Sequence, residues 1–186
     1  LVDVIGFTPR PALYDFTTSA GTPADALADA RDQKLILTAY RRCEFWREGR
    51  QCRFCALFTR RGVDPVVPCD EISQVVRTAL AEPGRYSQLY ISGGSDMDGT
   101  PAFSREQDRY VAALRAMGES FSGRFACQLM APAYGEDALA RIVGQTGVTS
   151  YSPNLEVWGA AQFARLCPGK QAHVGYDEWL RRTAAA

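Results

Sequence analysis

Several features that often identify a protein's function are scarce or missing in this chain. The chain contains 21 basic residues (Lys and Arg) and 21 acidic residues (Asp and Glu), so its formal net charge is zero. It therefore has no net charge that would attract nucleic acid or an anionic membrane. No stretch approaches the roughly 20 apolar residues that a membrane-spanning helix needs. The first ten residues lack the basic start and the apolar run of a signal peptide. We therefore expect a cytoplasmic protein with neither a nucleic-acid nor a membrane partner.

Histidine is also scarce, since His173 is the only one in the chain. Six cysteines are enough for three disulfides, but a chain of 186 residues that is 46% hydrophobic does not need such cross-links to fold. In a reducing compartment, clustered cysteines bind metal more often than they pair. The length indicates one domain, and the sequence contains no internal repeat or low-complexity tract.

Short apolar runs alternate with helix-like segments from about Lys34 onward, which is typical of βα units around a parallel sheet. The apolar runs predict strands at 34–39, 88–92, 124–130 and 148–152. The segments with helical spacing predict helices that begin near Asp70, Ser104, Glu136, Ala160 and Tyr176, the first two residues acting as N-caps.

This order of elements predicts an α/β protein built as a partial (β/α) barrel with parallel strands. Residues 1–33 show no clear period and are expected to form an N-terminal lead segment, with the barrel core in residues 34–186. Because four strands do not close a barrel, we expect the chain to be truncated.

Three cysteines lie close together in the segment that follows the first predicted strand. They are Cys43, Cys52 and Cys55. Three thiolates that meet at one point can hold a metal ion or an iron–sulfur cluster. A four-iron cluster with only three protein ligands keeps one iron open, and a small molecule can bind there.

Two other segments follow predicted strands in the same way. Gly93 and Gly94 end the second predicted strand, and Asn154 and Glu156 follow the fourth. Functional groups of α/β barrels gather at the carboxyl ends of the strands, so we expect these residues and the three cysteines to face one cavity.

At these residues the chain resembles the radical S-adenosylmethionine (SAM) enzymes, in the style of the biotin synthase and lipoyl synthase branch. That family has three cysteines after the first strand, the last pair separated by a variable residue and an aromatic one, as in Cys52-Arg53-Phe54-Cys55. It also has a double glycine after the second strand, like Gly93-Gly94, and a segment after strand four similar to Asn154-Leu155-Glu156. The resemblance covers roughly residues 34–156.

The resemblance implies a metal site at Cys43, Cys52 and Cys55 that holds a [4Fe–4S] cluster, with SAM as the second cofactor. Phe54, Gly93, Gly94, Asn154 and Glu156 would then bind SAM. An external electron donor such as flavodoxin or ferredoxin would supply the electron that cleaves SAM to a 5′-deoxyadenosyl radical. This radical would act on a small-molecule substrate, as an oxidoreductase or a transferase does. The resemblance assigns no catalytic side chain.

Two departures from the family pattern leave alternatives open. Eight residues separate Cys43 from Cys52, where the usual spacing is three, and Ser95 follows the double glycine where the family often has Glu. One alternative is cluster-dependent transfer of the aminocarboxypropyl group of SAM. Another is a non-catalytic module that is stabilised by zinc and binds a partner through its arginine-rich loop.

Individual residues also have simpler interpretations. The two glycines are compatible with a strand-to-loop turn made for packing. Asn154 and Glu156 fit a turn and a helix-start carboxylate. Cys167 is expected to be a packing residue at a helix end, near the predicted active face.

Overall fold

The computed structural model describes residues 9–57, 64–122 and 125–186. Within these ranges, the strands are β1 (Ala28–Arg31), β2 (Lys34–Tyr40), β3 (Gln88–Gly93), β4 (Cys127–Ala131) and β5 (Ser150–Pro153). The α-helices are α1 (Glu44–Arg47), α2 (Cys69–Leu80), α3 (Ser104–Gly118), α4 (Glu136–Gln145), α5 (Ala160–Leu166), α6 (Pro168–His173) and α7 (Tyr176–Ala185).

The five strands form one sheet in the order β1-β2-β3-β4-β5. β1 pairs antiparallel with β2, and the other three pairings are parallel. α2 lies between β2 and β3 in the chain, α3 between β3 and β4, and α4 between β4 and β5. α3 contacts both α2 and α4. The crossover helices therefore form one layer against the sheet, as the uniform handedness of βαβ units requires. The predicted α/β class with a largely parallel sheet is confirmed.

Alternate residues of the parallel strands enter the core between the sheet and the helix layer. Leu35, Leu37 and Ala39 of β2 are buried, as are Leu89 and Ile91 of β3. Burial of each leucine or isoleucine side chain contributes about 1.5–3 kcal/mol. The residues between them point to the opposite face of the sheet and are only half-buried; they are Ile36, Thr38, Tyr90, Ser92, Gln128 and Met130.

A second, smaller core lies beside β5, where α5, α6 and α7 meet. Its buried members are Ala133, Phe163, Cys167 and Trp179, and Cys52 packs against it from the cysteine segment. The indole Nε1 of Trp179 donates a hydrogen bond to the carbonyl oxygen of Pro153 at 3.0 Å. The C-terminal helices are thereby fixed to the end of the last strand.

The segment predicted to lead into the barrel takes part in the main core. Leu13, Ala24 and Leu27 are buried there, and β1 forms a hairpin with β2. This strand, with the sequence Ala-Asp-Ala-Arg, has no β-branched or aromatic residue and so gives no strand signal.

The two predicted N-caps are wrong by one or more residues. α2 is preceded by Pro68 in extended conformation, and α3 by Phe103, which has a φ of 69°. Neither helix has a side-chain cap, so Asp70 and Ser104 lie inside the first turn. β4, which corresponds to the strand predicted at 124–130, begins only at Cys127. Arg124 lies outside the described residues.

None of the helices in the described residues combines the length and the apolar character needed to cross a lipid bilayer.

Candidate functional site

A cavity of about 150 Å³ lies at the carboxyl ends of the parallel strands. It is lined by all eight residues predicted to form the site, namely Cys43, Cys52, Phe54, Cys55, Gly93, Gly94, Asn154 and Glu156. Pockets that enclose a drug-sized ligand measure roughly 300–1,000 Å³. A ligand the size of a nucleoside would therefore extend beyond the cavity.

The cysteine segment is held over the strand ends by backbone hydrogen bonds. The amide of Glu44, next to Cys43, donates to the carbonyl of Ser95 at 2.8 Å. The amide of Cys55 donates to the carbonyl of Cys52 at 3.0 Å, which forms a tight turn around Arg53 and Phe54. These bonds hold the three cysteines of this segment on the wall of one cavity.

The three cavity cysteines are free and partly buried. Burial raises the pKa of the Cys43 thiol and raises that of Cys52 to about 12. The negative charges of Cys52 and Cys55 also raise the pKa of Cys43, as expected for sulfurs in the same site. Across residues 9–57, 64–122 and 125–186, no three His, Cys, Asp or Glu side chains are close enough to hold a single metal ion. The sulfurs thus share a cavity without forming a closed mononuclear site.

The double glycine is explained by contact with the chain's own backbone. A Cβ at Gly94 would lie 1.9 Å from the carbonyl oxygen of Arg42, and one at Gly93 would lie 2.9 Å from the amide nitrogen of Tyr40. Real Cβ atoms do not approach other atoms so closely. Both glycines let the end of β3 lie directly against the start of the cysteine segment, so the packing interpretation of this pair is sufficient.

Asn154 and Glu156 belong to a loop after β5 that is anchored by Lys170. The ammonium nitrogen of Lys170 lies 2.6 Å from the carbonyl oxygen of Asn154 and 3.4 Å from a carboxylate oxygen of Glu156. The hydroxyl of Ser152 donates to the side-chain oxygen of Asn154 at 2.7 Å. Glu156 has a φ of 71°, which is uncommon for a residue with a side chain and is found more often at functional sites.

Lys170 is a site residue that the sequence analysis missed. The signal that could have found it is the neighbouring Gly169, because a Cβ there would lie 2.5 Å from the ring of Phe45 and 2.8 Å from the carbonyl oxygen of Arg50. This close approach brings α6, and Lys170 with it, against the cysteine segment.

A buried polar network supports the cavity from behind, and the sequence analysis missed it too. Asp96 is fully buried, and the guanidinium of Arg105 donates two hydrogen bonds to it at 2.7 and 2.9 Å. Arg109 also donates to Asp96 and lies 4.4 Å above the ring of Tyr40. Burial opposes the charge on Asp96, but these two arginines and the amide of Asp98 outweigh it and lower its pKa.

Glu106 connects this network to the loop after β4. One of its carboxylate oxygens accepts a hydrogen bond from the amide of Asp96 at 2.6 Å, and the other accepts one from the hydroxyl of Tyr134. Burial raises its pKa to about 8, so this side chain is protonated at neutral pH.

The same network extends to the cysteine segment through Glu44. Its carboxylate accepts a hydrogen bond from Tyr40 at 3.1 Å and pairs with Arg47 at 2.8 Å. The ends of β2, β3 and β4 are therefore joined to α1 and α3 by fixed polar contacts.

Comparison of the chain with protein families, curated proteins and solved structures gave no match.

Proposed function

We propose that this chain is the core of a radical SAM enzyme whose cluster is held by Cys43, Cys52 and Cys55. One observation carries the proposal. Eight residues, chosen from three separate segments of the sequence, line a single cavity at the carboxyl ends of parallel strands. Functional groups gather at that end of the sheet in α/β barrels.

We propose further that the sheet is part of a (β/α) barrel. Its four parallel strands are neighbours in the same order as in the sequence, and each is connected to the next through a helix of a single layer. An open doubly wound sheet reverses its strand order at a switch point, and β2 to β5 contain no such reversal. The half-buried sheet face would then be the inner surface of the barrel.

The donor set of the cavity is of the kind that iron–sulfur clusters use. Thiolates are the usual ligands of such clusters, and the side chains of three cysteines line this one cavity. When bound, the cluster would pass an electron from a donor such as flavodoxin or ferredoxin to SAM and cleave it reductively to a 5′-deoxyadenosyl radical.

The other cavity residues would bind and orient SAM. Phe54 has 54% of its surface exposed at the cavity, so its ring is free to stack on an adenine. The carboxylate of Glu156 would accept hydrogen bonds from the two ribose hydroxyls. Lys170 holds Glu156 and the backbone of Asn154 in position for this contact.

One observation favours a second candidate, a zinc-stabilised module without catalytic activity. Cys52 packs against the small core that contains Cys167, and a zinc site of four cysteines would need Cys43 and Cys55 to move towards these two. Four cysteines are a common ligand set for structural zinc. Metal analysis separates the two candidates.

The test starts with protein purified without oxygen and reconstituted with iron and sulfide. A cluster gives about four irons per chain and a brown colour, whereas the second candidate gives one zinc and no colour. Cys52→Ala should lose the iron. Cys69→Ala should keep it, because Cys69 is an exposed residue of α2 outside the cavity.

Product analysis with SAM and dithionite then identifies the reaction. Formation of 5′-deoxyadenosine supports the proposed function, and methylthioadenosine indicates aminocarboxypropyl transfer instead. If the protein binds iron but forms neither product, it is not a SAM-cleaving enzyme.

A further inference from the structure

The cysteine segment and the segment between α5 and α6 run side by side in opposite directions. The amide of Arg53 donates to the carbonyl of Leu166 at 2.9 Å, and the amide of Gly169 donates to the carbonyl of Arg50 at 2.9 Å. From one bond to the next, the first segment goes back three residues while the second advances three. The two segments are therefore antiparallel here, and the two hydrogen bonds bracket Cys52 on one segment and Cys167 on the other.

A disulfide needs Cβ atoms about 3.5–4.5 Å apart, so the two side chains must meet in the space between these hydrogen bonds. Cys52 packs against the small core that contains Cys167, and each of the two thiols influences the pKa of the other, as neighbouring groups do. Both are in the reduced form.

The two cysteines differ in their access to solvent. Cys167 is completely buried, whereas Cys52 is half-buried on the wall of the cavity. An oxidant from solution therefore reaches Cys52 first, and Cys167 is positioned to react second.

We propose that Cys52 and Cys167 form a redox pair. A small-molecule disulfide oxidises the two thiols to a Cys52–Cys167 disulfide, and Cys52 can then no longer bind a metal. The consequence for metal binding rests on the proposed function, but the formation of the bond does not. The proposal gives Cys167 a chemical role in addition to its packing in the small core.

The chemistry is a thiol–disulfide exchange in two steps. Cys52 first loses its proton, which makes the step slow at neutral pH because burial raises its pKa to about 12. Its thiolate then attacks one sulfur of the small disulfide, whose S–S bond breaks and releases one small thiol. The sulfur of Cys167 then attacks Cys52 in the mixed disulfide and displaces the second small thiol. The two protein thiols lose two electrons and two protons, and the oxidant gains both as two thiols.

Disulfide formation and metal binding exclude each other because both use the sulfur of Cys52. A ligand set of three would be left with only Cys43 and Cys55. Conversely, a bound cluster would protect Cys52 from the oxidant. The pair would thus respond to the thiol–disulfide balance around the protein.

The first test maps the bond itself. The metal-free chain is incubated with oxidised glutathione, its free thiols are alkylated, and the unreduced digest is analysed by mass spectrometry. We expect a peptide that links Cys52 to Cys167, absent from Cys167→Ala and unchanged in Cys69→Ala. Linkage of Cys52 to Cys43 or Cys55 instead, or no linkage at all, would overturn the proposal. The mapping of the unmutated chain decides this even if Cys167→Ala does not fold.

The second test measures iron binding by the same samples. The oxidised chain should take up iron and sulfide only after treatment with a reductant. Cys167→Ala, kept reduced, should bind as much iron as the unmutated chain. If this variant folds but loses the metal, Cys167 is itself a ligand, and the proposal that oxidation withdraws only Cys52 from the site is refuted. If no sample binds iron while the linked peptide forms, the disulfide stands and the proposed function fails.

Discussion

Lys170 anchors the loop that follows β5, with its ammonium nitrogen 2.6 Å from the carbonyl oxygen of Asn154. The side chain is only 13% exposed and its charge lies 4.9 Å above the ring of Trp179. Asn154 and Glu156 are therefore positioned by a residue from a different element, which belongs to α6. The geometry of this loop depends on the C-terminal helices.

Replacing Lys170 with Met should keep the apolar stem packed on Trp179 but remove the bonds to the loop. We expect the affinity for SAM to fall about tenfold, which corresponds to ~1.4 kcal/mol. Calorimetric titration of the reconstituted protein with SAM measures this. Lys34→Met is the control, because that lysine lies over Tyr90 at the opposite end of the strands. An equal effect of both changes would contradict the anchoring role.

Gly94→Ala should disrupt the junction between β3 and the cysteine segment. The new methyl group would lie 1.9 Å from the carbonyl oxygen of Arg42, and backbone cannot yield as a flexible side chain does. We expect a loss of about 3 kcal/mol or more in the free energy of unfolding, at the upper end of single substitutions. Urea unfolding followed by circular dichroism measures it.

The matched control is Gly144→Ala in α4, where nothing lies within 4 Å of the added methyl group. Alanine favours the helix over glycine by about 0.5–1 kcal/mol, so this change should stabilise the protein. If Gly94→Ala behaves like Gly144→Ala, the close contact at the junction is not rigid.

Local patterns in the sequence are sufficient to predict most of the architecture. The spacing of apolar residues predicts both α2 and the strand from Lys34 to Ala39, because it shows which face of each element enters the core. This spacing is visible among residues that are close together in sequence. Because the carboxyl ends of parallel strands meet at one edge, the cavity that joins Cys43 to Asn154 also follows from the order of elements.

Features that depend on distant contacts could not be predicted in this way. The approach of Cys167 to Cys52 depends on backbone hydrogen bonds between two segments more than 100 residues apart in sequence. The pairing of Asp96 with Arg105 and Arg109 depends on how the loop after β3 folds back on α3. In sequence, these residues have the appearance of an ordinary solvated helix start.

Glu106 should make the stability of the protein depend on pH near neutrality. Burial raises its pKa to about 8, whereas an unfolded glutamate has a pKa of about 4.3. Between these values, the folded state keeps a proton that the unfolded state releases. The free energy of unfolding should therefore fall as pH rises through this window, by at most ~1.4 kcal/mol per pH unit from this group.

Glu106→Gln has no proton to lose in this window and keeps an oxygen to accept the bond from Tyr134. Its stability should decline less between pH 5 and 8 than that of the unmutated chain, as urea unfolding at several pH values would measure. Asp96 does not interfere, because the bonds from Arg105 and the amide of Asp98 outweigh its burial and lower its pKa, which confines its own effect to acid. Glu178→Gln is the control, because hydrogen bonds from Arg181 and Arg182 lower that pKa to about 2. Parallel curves for all three proteins would mean that Glu106 is not protonated in the folded state.

Phe54 tests whether an exposed aromatic ring at the cavity serves ligand binding or packing. Because 54% of its surface is exposed, Phe54→Ser should change the free energy of unfolding by no more than about 0.5 kcal/mol. Loss of stacking on an adenine should weaken SAM binding by ~1 kcal/mol, about fivefold. Trp158→Ser is the matched control, since that ring is 78% exposed and lies outside the cavity. A drop in SAM affinity for Phe54→Ser alone, measured by titration, supports the stacking role. Lost stability without lost affinity would make Phe54 a packing residue of the cysteine segment.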